Sequence, residues 1–226
     1  MNKIKKIYFL IIFIATVICL SGCAAPKKPV ILKDPSRIIY GKDTIFVVSK
    51  IPENYLESKE IIPNSEILSK QELELYHLIM DYRKTKGLPS IPLSKSLTVV
   101  AQTHAKDLYE NLDKLIRYGG WSGHSWSDKG SWSPIKNYNG GIKHNQRARN
   151  KPRELTSYKG DGYDIVCVGT IFPVEILYAF QRSPLHNNLI ISQGDWRKYY
   201  WRAIGISIYK DYTSIWFGER KDKWAK

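Results

Sequence analysis

Three residues of this chain have side chains and local sequences suited to chemistry at a polar site: His124, Asp164 and His186. His124 lies in a segment rich in glycine and serine, Asp164 lies in an apolar run, and His186 follows a Ser-Pro-Leu tripeptide. A neutral imidazole binds metal through one ring nitrogen while a carboxylate or carbonyl fixes the other nitrogen. Two histidines and an acid from separate segments could therefore hold zinc, or form an acid–base pair acting on bound water.

The other three histidines of the sequence predict no such site. His77 and His104 fall on helical patterns, so we interpret them as packing or surface residues. His144 lies in a basic segment and is expected at the surface. The HExxH spacing of helical zinc sites does not occur in the sequence.

Ser125 next to His124 suggests a Ser-His-Asp triad with Asp164. Adjacent residues of an extended segment, however, point to opposite sides. The sequence also lacks the Gly-x-Ser-x-Gly elbow of serine hydrolases. Both observations argue against a serine hydrolase.

Two amphipathic helical patterns precede His124. Ser69 and Glu72 have the capping-box form Ser-x-x-Glu, apolar residues then follow helical spacing over residues 71–86, and Gly87 is a stop signal. Ser94 is an N-cap for a second pattern over residues 95–112. These helices must pack beside whatever segments position the histidines.

The segments around and after His124 alternate between irregular and regular patterns. Residues 121–145 are rich in Gly, Ser, Trp and Asn and predict a long loop. Regular structure is predicted in four further places: residues 151–156, a strand over 163–170, a helix from Pro173 to about Arg182, and a hairpin over 203–209 and 214–218. Helices around short, antiparallel-looking strands predict the α+β class.

Taken in order, these segments resemble the CAP superfamily (cysteine-rich secretory proteins, antigen 5 and pathogenesis-related 1, also called SCP-like). The resemblance covers about residues 70–220. It depends on an early helix ending near Arg83, the Gly87-Leu88-Pro89 link, Ala101-x-x-His104-Ala105, Gly123-His124-Ser125, Gly162-Tyr163-Asp164, and Ser183-Pro184-Leu185-His186. It implies a three-layer α-β-α sandwich with a short, mostly antiparallel sheet and a central cleft that carries two histidines and usually two acids.

The resemblance also assigns site residues. His124 and His186 correspond to the two cleft histidines, and Asp164 falls where the family carries its first acid, although Asp is one methylene shorter than Glu. The segment Phe180-Gln181-Arg182-Ser183 lacks the second acid that many members carry. Two nearby carboxylates do not match that position: Glu175 and Glu154. Since zinc sites usually use at least three protein ligands, the pair His124 and His186 leaves zinc as an open alternative.

The N-terminus predicts export and lipid attachment. Residues 1–6 are basic, and residues 7–20 are apolar but too short to span a bilayer comfortably. Leu20-Ser21-Gly22-Cys23 resembles a bacterial lipobox, which implies cleavage after Gly22 and acylation of Cys23; an uncleaved anchor is the alternative. We therefore predict a signal peptide over residues 1–22, a tether and N-terminal extension over 23–68, and a CAP/SCP-like domain over 69–222.

The extension contains one structural signal. Residues 38–40 and 44–48 are rich in β-formers and are interrupted by Gly41-Lys42-Asp43, which predicts a hairpin or an edge strand. The segment lies outside the family resemblance, and the sequence assigns it no function.

The net charge indicates which partners to expect, and the cysteine content indicates whether a disulfide can form. The formal charge of the chain is +14, and removing residues 1–22 takes away three lysines and no acid, which leaves +11. The charge is spread along the chain and export is predicted, so we expect anionic envelope surfaces rather than nucleic acid as partners. After loss of Cys19 and lipidation of Cys23, only Cys167 remains, so no internal disulfide is expected, and Cys167 is interpreted as a core residue.

Tryptophan and tyrosine clusters are the last candidate binding feature. Trp121, Trp126 and Trp132 recur within the predicted loop, and residues 196–201 contain two more tryptophans beside basic residues. Such residues either pack the loop and sandwich edges or form a rim for a lipid, sterol or glycan. The family resemblance is compatible with lipid or sterol binding.

These observations predict a lipoprotein on the extracytoplasmic side of a membrane: the outer membrane, its periplasmic face or the cell surface. The favoured function is a non-enzymatic ligand-binding module rather than an enzyme. Its expected binding residues are His124, Ser125, Trp126, Asp164 and His186. A metal-assisted, peptidase-like hydrolase using the same cleft is the first alternative, and a structural envelope protein is the second.

Overall fold

The computed structural model describes residues 38–41, 43–49 and 68–222. The predictions for the signal peptide, Cys23 and most of the tether lie outside these residues. Within them, five strands are β1 (Ile38–Tyr40), β2 (Ile45–Val47), β3 (Gly162–Val168), β4 (Ala203–Tyr209) and β5 (Tyr212–Gly218). The six α-helices are α1 (Lys70–Thr85), α2 (Lys95–Asp107), α3 (Asp113–Arg117), α4 (Ile142–Leu155), α5 (Pro173–Arg182) and α6 (Pro184–Ile190).

The five strands form one mixed sheet in the order β1-β2-β3-β5-β4. β2 runs parallel to β3, whereas the pairs β1–β2, β3–β5 and β4–β5 are antiparallel. The prediction of a short, mostly antiparallel sheet is therefore confirmed. The N-terminal extension contributes β1 and β2 to this sheet, and its predicted hairpin is confirmed.

Helices cover both faces of the sheet. On one face, isoleucines of β4 and β5 pack with apolar residues of α1 and α5, such as Ile79 and Phe180. On the other face, Leu97 and Val100 of α2 pack against Trp216 of β5. The alternation of side chains along each strand supplies both cores. The α+β class and the three-layer α-β-α arrangement are thus present in the described residues.

The contact between α2 and β4 requires a glycine. A Cβ atom at Gly205 would lie 2.0 Å from the carbonyl carbon of Leu97. The helix backbone therefore rests directly on the strand. This close approach fixes the second helix, and with it His104, against the centre of the sheet.

Helix boundaries follow the predicted caps at several places. Ser69 and Glu72 form the reciprocal capping box of α1, Ser94 caps α2 through the Leu97 amide, and Pro173 begins α5. The predicted loop over residues 121–145 ends earlier than expected, because α4 begins at Ile142 rather than near residue 151. His144 is consequently on a helix and half-buried, a correction to its predicted surface position.

Helix α2 continues into a π-helical turn over Leu108–Leu112 before α3. Cys167 is fully buried in β3, and burial raises the pKa of its thiol, as expected for a core residue. Within the described ranges, helices long and apolar enough to cross a membrane are absent.

Candidate functional site

The three residues predicted from the sequence line one cleft of about 350 Å³. His124 comes from the loop after α3, Asp164 from β3, and His186 from α6. The volume lies in the range typical of small-molecule sites. The β1–β2 turn contributes Asp43 to the walls, and α4 contributes Arg149. The aromatic residues of the walls are Tyr138 from the loop before α4, Tyr163 from β3 and Trp196 from a turn after α6.

His124 and Asp164 form a direct pair at the base of the cleft. Nδ1 of His124 donates to Oδ2 of Asp164 across 2.8 Å, and the two side chains are 13% and 8% exposed. Among the described residues, Nε2 of His124 has no hydrogen-bond partner. The ring is therefore oriented by the carboxylate and presents its second nitrogen to the cleft.

The charge state of the pair follows from two opposing effects. Burial disfavours the imidazolium, but the charge and hydrogen bond of Asp164, together with Asp43, outweigh burial and raise the pKa of His124. Burial likewise opposes ionisation of Asp164, yet His124 and, less strongly, His104 lower the pKa of that carboxyl. The pair is thus favoured as imidazolium and carboxylate over a wider pH range than the two separate groups would be.

His186 is held in the neutral form. Its Nε2–H donates to the backbone carbonyl of Asp43 (3.2 Å), because a carbonyl can only accept. Nδ1 then accepts from the hydroxyl of Ser183 across 2.7 Å. Burial lowers the pKa of His186 to about 4. Both ring nitrogens are therefore occupied, and His186 anchors the β1–β2 turn at the cleft.

His104, which the sequence assigned to packing, lies directly behind the cleft. It is fully buried, stacks on Trp126 at 4.3 Å between ring centroids, and places Nδ1 3.6 Å from Oδ2 of Asp164. Its Nε2–H donates to the carbonyl of Ser125, and Nδ1 accepts from Ser214. Burial lowers the pKa of His104, so a neutral ring backs Asp164. The sequence signal available for His104 was the motif Ala101-x-x-His104-Ala105.

Asp43 is the second residue that sequence reasoning did not place at the site. It lies in the turn between β1 and β2, in the extension outside the family resemblance, and it lines the cleft. Thr44 reinforces this placement, since its hydroxyl oxygen accepts from the Gly123 amide at 2.7 Å. The parallel pairing of Ile45 with Cys167 brings the turn beside β3. Because the pairing of β2 with β3 places Asp43 in the cleft, no local sequence pattern could predict its position there.

Ser125 and Trp126, two of the expected binding residues, are not among the residues that line the cleft. Both are fully buried. The Ser125 hydroxyl oxygen accepts from the Tyr138 amide, so it is not aligned with His124 as a nucleophile. Trp126 packs between His104 and Trp216. Their contribution is support for the loop that carries His124.

The donor set does not fit a conventional zinc site. Within the described residues, His, Cys, Asp and Glu form no group of three or more that could hold a metal ion. His186 uses both nitrogens within the protein, and Glu175 accepts from Thr170 instead of facing the cleft. Glu154 pairs with buried Lys151. Zinc binding by His124 and His186 together would therefore require rearrangement of His186.

The aromatic clusters serve both roles that the sequence suggested: some rings pack the long loop, and others line the cleft. Trp126 packs edge-to-face with Trp132 at 5.3 Å inside the long loop. Tyr163 and Trp196, by contrast, line the cleft, and their rings meet at 5.4 Å. Tyr138 approaches His124 edge-on at 5.1 Å. The cleft therefore combines a polar base with aromatic walls.

The chain matches no protein-family model and no curated protein sequence. The solved structures to which it is similar include those of three bacterial proteins. A cysteine-rich secretory protein from Staphylococcus aureus is 17% identical with a TM-score of 0.43, and the match covers 66% of this chain and 38% of that one. The present chain therefore spans well under half of that protein.

The other two solved structures are also distant from this chain in sequence. An outer surface protein from Borrelia burgdorferi is 19% identical with a TM-score of 0.47, covering 69% of this chain and 97% of that one. An extracellular protein containing an SCP domain from Bacillus anthracis is 12% identical with a TM-score of 0.47, covering 78% and 46%. Two of the three descriptions name the family that the sequence motifs resemble.

Proposed function

We propose that this chain is an extracytoplasmic, lipid-anchored protein of the CAP type that binds a small polar ligand in the cleft around His124, Asp164 and His186. The observation that carries the proposal is the oriented His124 ring. Asp164 holds Nδ1 at 2.8 Å, and Nε2 has no described partner inside a cleft of about 350 Å³. An oriented ring nitrogen that faces a cleft and lacks a described protein partner is a polar group of the kind that gives a ligand site its specificity.

The walls support binding of a ligand with an apolar part. Tyr138, Tyr163 and Trp196 supply aromatic faces, while the polar groups converge at the base. A lipid headgroup, a sterol or an envelope glycan would present both kinds of surface. The sequence signals at residues 1–23 support secretion and acylation of Cys23, which would hold the cleft close to a membrane.

Binding should be tested on the full chain in detergent, using a library of small metabolites, glycans and lipids. Calorimetry on each compound that binds should show a stoichiometric interaction that His124→Ala abolishes. His77→Ala is the matched control, because His77 is exposed on α1, away from the cleft. Absence of any bound compound, or equal loss in both variants, would refute the proposal.

A hydrolase is the second candidate, and one observation favours it. The Asp164–His124 pair has the orientation of a carboxylate that fixes a general base, and above the raised pKa of His124 the neutral ring would offer Nε2 to a water molecule. No nucleophilic side chain is aligned with Nε2 among the described residues, so water would be the attacking group. Hydrolysis of ester or peptide reporters by the wild type but not by His124→Ala would support this candidate.

A further inference from the structure

Some charged side chains of the cleft have no neighbouring charge that neutralises them among the described residues. His124 and Asp164 neutralise each other as an ion pair, and His186 is neutral. Two charged side chains of the wall remain: Asp43 from the β1–β2 turn and Arg149 from α4. They carry opposite charges and come from different elements, so the cleft has an acidic and a basic point of contact.

The carboxylate of Asp43 is available to a ligand. Within the described part of the chain it accepts one hydrogen bond, from the hydroxyl of its neighbour Thr44 at 3.2 Å, and it has no ion pair there. Its backbone is nevertheless held, because its carbonyl accepts from His186 and Thr44 accepts from Gly123. A Cβ atom at Gly123 would lie 2.8 Å from the Thr44 hydroxyl oxygen, so this close contact depends on glycine.

The guanidinium of Arg149 is also fixed but unneutralised. It lies 5.1 Å from the ring centroid of Tyr163, and no described carboxylate forms an ion pair with it. Arg153, one turn further along α4, instead pairs with Asp161. A stacked guanidinium keeps its N–H donors at the ring edge, where they can bind an oxyanion in a bidentate manner.

Tyr138 lines the same cleft and is influenced by both charges. Burial is the main cause that raises the pKa of Tyr138 to about 12; Asp164 and Asp43 raise it further, and Arg149 opposes them. Both Asp43 and Arg149 therefore act on the same hydroxyl. Because Asp43, Tyr138 and Arg149 line one cleft of about 350 Å³, one small molecule can contact both charged groups.

We propose that the cleft selects a small zwitterionic ligand, with its ammonium group at Asp43 and its oxyanion at Arg149. The inference rests on the proposed function and names the ligand class of the same cleft. The aromatic walls favour the cationic end, because an ammonium is attracted to the faces of Tyr and Trp rings. A cleft of about 350 Å³ accommodates a headgroup-sized molecule.

The test uses three probes on the full chain in detergent: O-phosphoethanolamine and its two halves, ethanolamine and ethyl phosphate. Calorimetry should show that O-phosphoethanolamine binds at least about tenfold more tightly than either half, as expected when two charged hydrogen bonds act together. Asp43→Asn and Arg149→Gln should each weaken its binding by about tenfold. Arg149→Lys, which keeps the charge but loses the fork, should give an intermediate loss.

Matched controls are available on the surface. Asp81→Asn removes an exposed carboxylate of α1, and Arg202→Gln removes an arginine that also stacks on a tyrosine, Tyr200, outside the cleft. Both should bind O-phosphoethanolamine like the wild type. Circular dichroism and thermal unfolding on every variant will separate loss of binding from loss of fold.

Comparison of vesicle binding with binding of the free probe identifies the source of the zwitterion. Binding to phosphatidylethanolamine vesicles that free O-phosphoethanolamine inhibits would indicate a lipid headgroup; binding of the free probe alone would indicate a soluble zwitterion. Failure of O-phosphoethanolamine to bind, equal binding of a half, or full binding by Asp43→Asn and Arg149→Gln would overturn the inference. A library compound that requires His124 but neither Asp43 nor Arg149 would leave the proposed function standing and remove only the zwitterion.

Discussion

Replacing Asp164 with asparagine should lower the pKa of His124 and remove the stabilisation that the pair gives the fold below neutrality. The variant keeps the side-chain shape but removes the charge 2.8 Å from Nδ1. An opposite charge at this range shifts a pKa by about 1–3 units, so the variant's His124 should titrate about 1–3 units lower. Each unit corresponds to about 1.4 kcal/mol of stability at full effect.

The direction of the pH effect follows from linkage. In the wild type, the pKa of folded His124 lies above the unfolded value of about 6.5, so the pair stabilises the fold fully below about pH 6.5. That stabilisation is lost as the pH rises through the folded pKa. Asp164 has a lowered pKa, so its share is lost only as the pH falls through that lower value. The difference between wild type and variant should therefore be largest between about pH 4 and 6.5.

The assay is histidine-selective NMR across a pH titration, with chelator present, combined with urea unfolding at each pH. Asp161→Asn is the matched control, because Asp161 carries an exposed ion pair with Arg153 that contributes at most about 1 kcal/mol. An unchanged or higher His124 pKa in Asp164→Asn would refute the pairing and the charge balance of the cleft.

Four further predictions concern stability, metal and location. The free energy of unfolding should fall below about pH 6.5 by about 1.4 kcal/mol per pH unit for each neutral buried histidine. His186→Gln should reduce this slope when unfolding in urea is measured at several pH values. An unchanged slope would contradict the neutral state of His186. Gly205→Ala should destabilise the fold by at least about 1–3 kcal/mol, measured by thermal unfolding; a neutral result would contradict the contact with Leu97. Calorimetry with zinc should show no stoichiometric binding to the wild type. If zinc binds and the double variant His124→Ala/His186→Ala does not bind it, His186 must give up its hydrogen bond to the Asp43 carbonyl to reach the metal. Cys23→Ser should move the protein from the membrane to the soluble fraction; unchanged partition would contradict the lipid anchor.

Local sequence signals predicted much of the framework. The Ser69–Glu72 capping box, the Ser94 cap and the Pro173 start act within one helical turn, so they can be read without tertiary structure. The hairpin at β4–β5 was also predictable, although β5 begins at Tyr212, two residues earlier than its pattern indicated. The start of α4 was not predictable from the same cues, because Gly141 provides no side-chain cap and the helix contains Pro152.

The site was only partly predictable, for a physical reason. The resemblance selected His124, Asp164 and His186, and all three line the cleft. Asp43 is more than 80 residues away from His124 in sequence, and β2–β3 pairing alone brings it there. His104 looked like an ordinary helical histidine, since its closeness to Asp164 depends on how α2 rests on Gly205. Residues that reach a site through sheet pairing and helix packing leave no local pattern.

The central claim is that a small ligand binds at the His124–Asp164 pair. The most direct measurement is histidine-selective NMR on the full chain during titration with small metabolites, glycans and lipids presented in pools. Binding at the cleft predicts shifts of the His124 and His186 ring resonances while exposed His77 stays unchanged. Equal shifts at His77, or no shift at His124 with any pool, would contradict the claim.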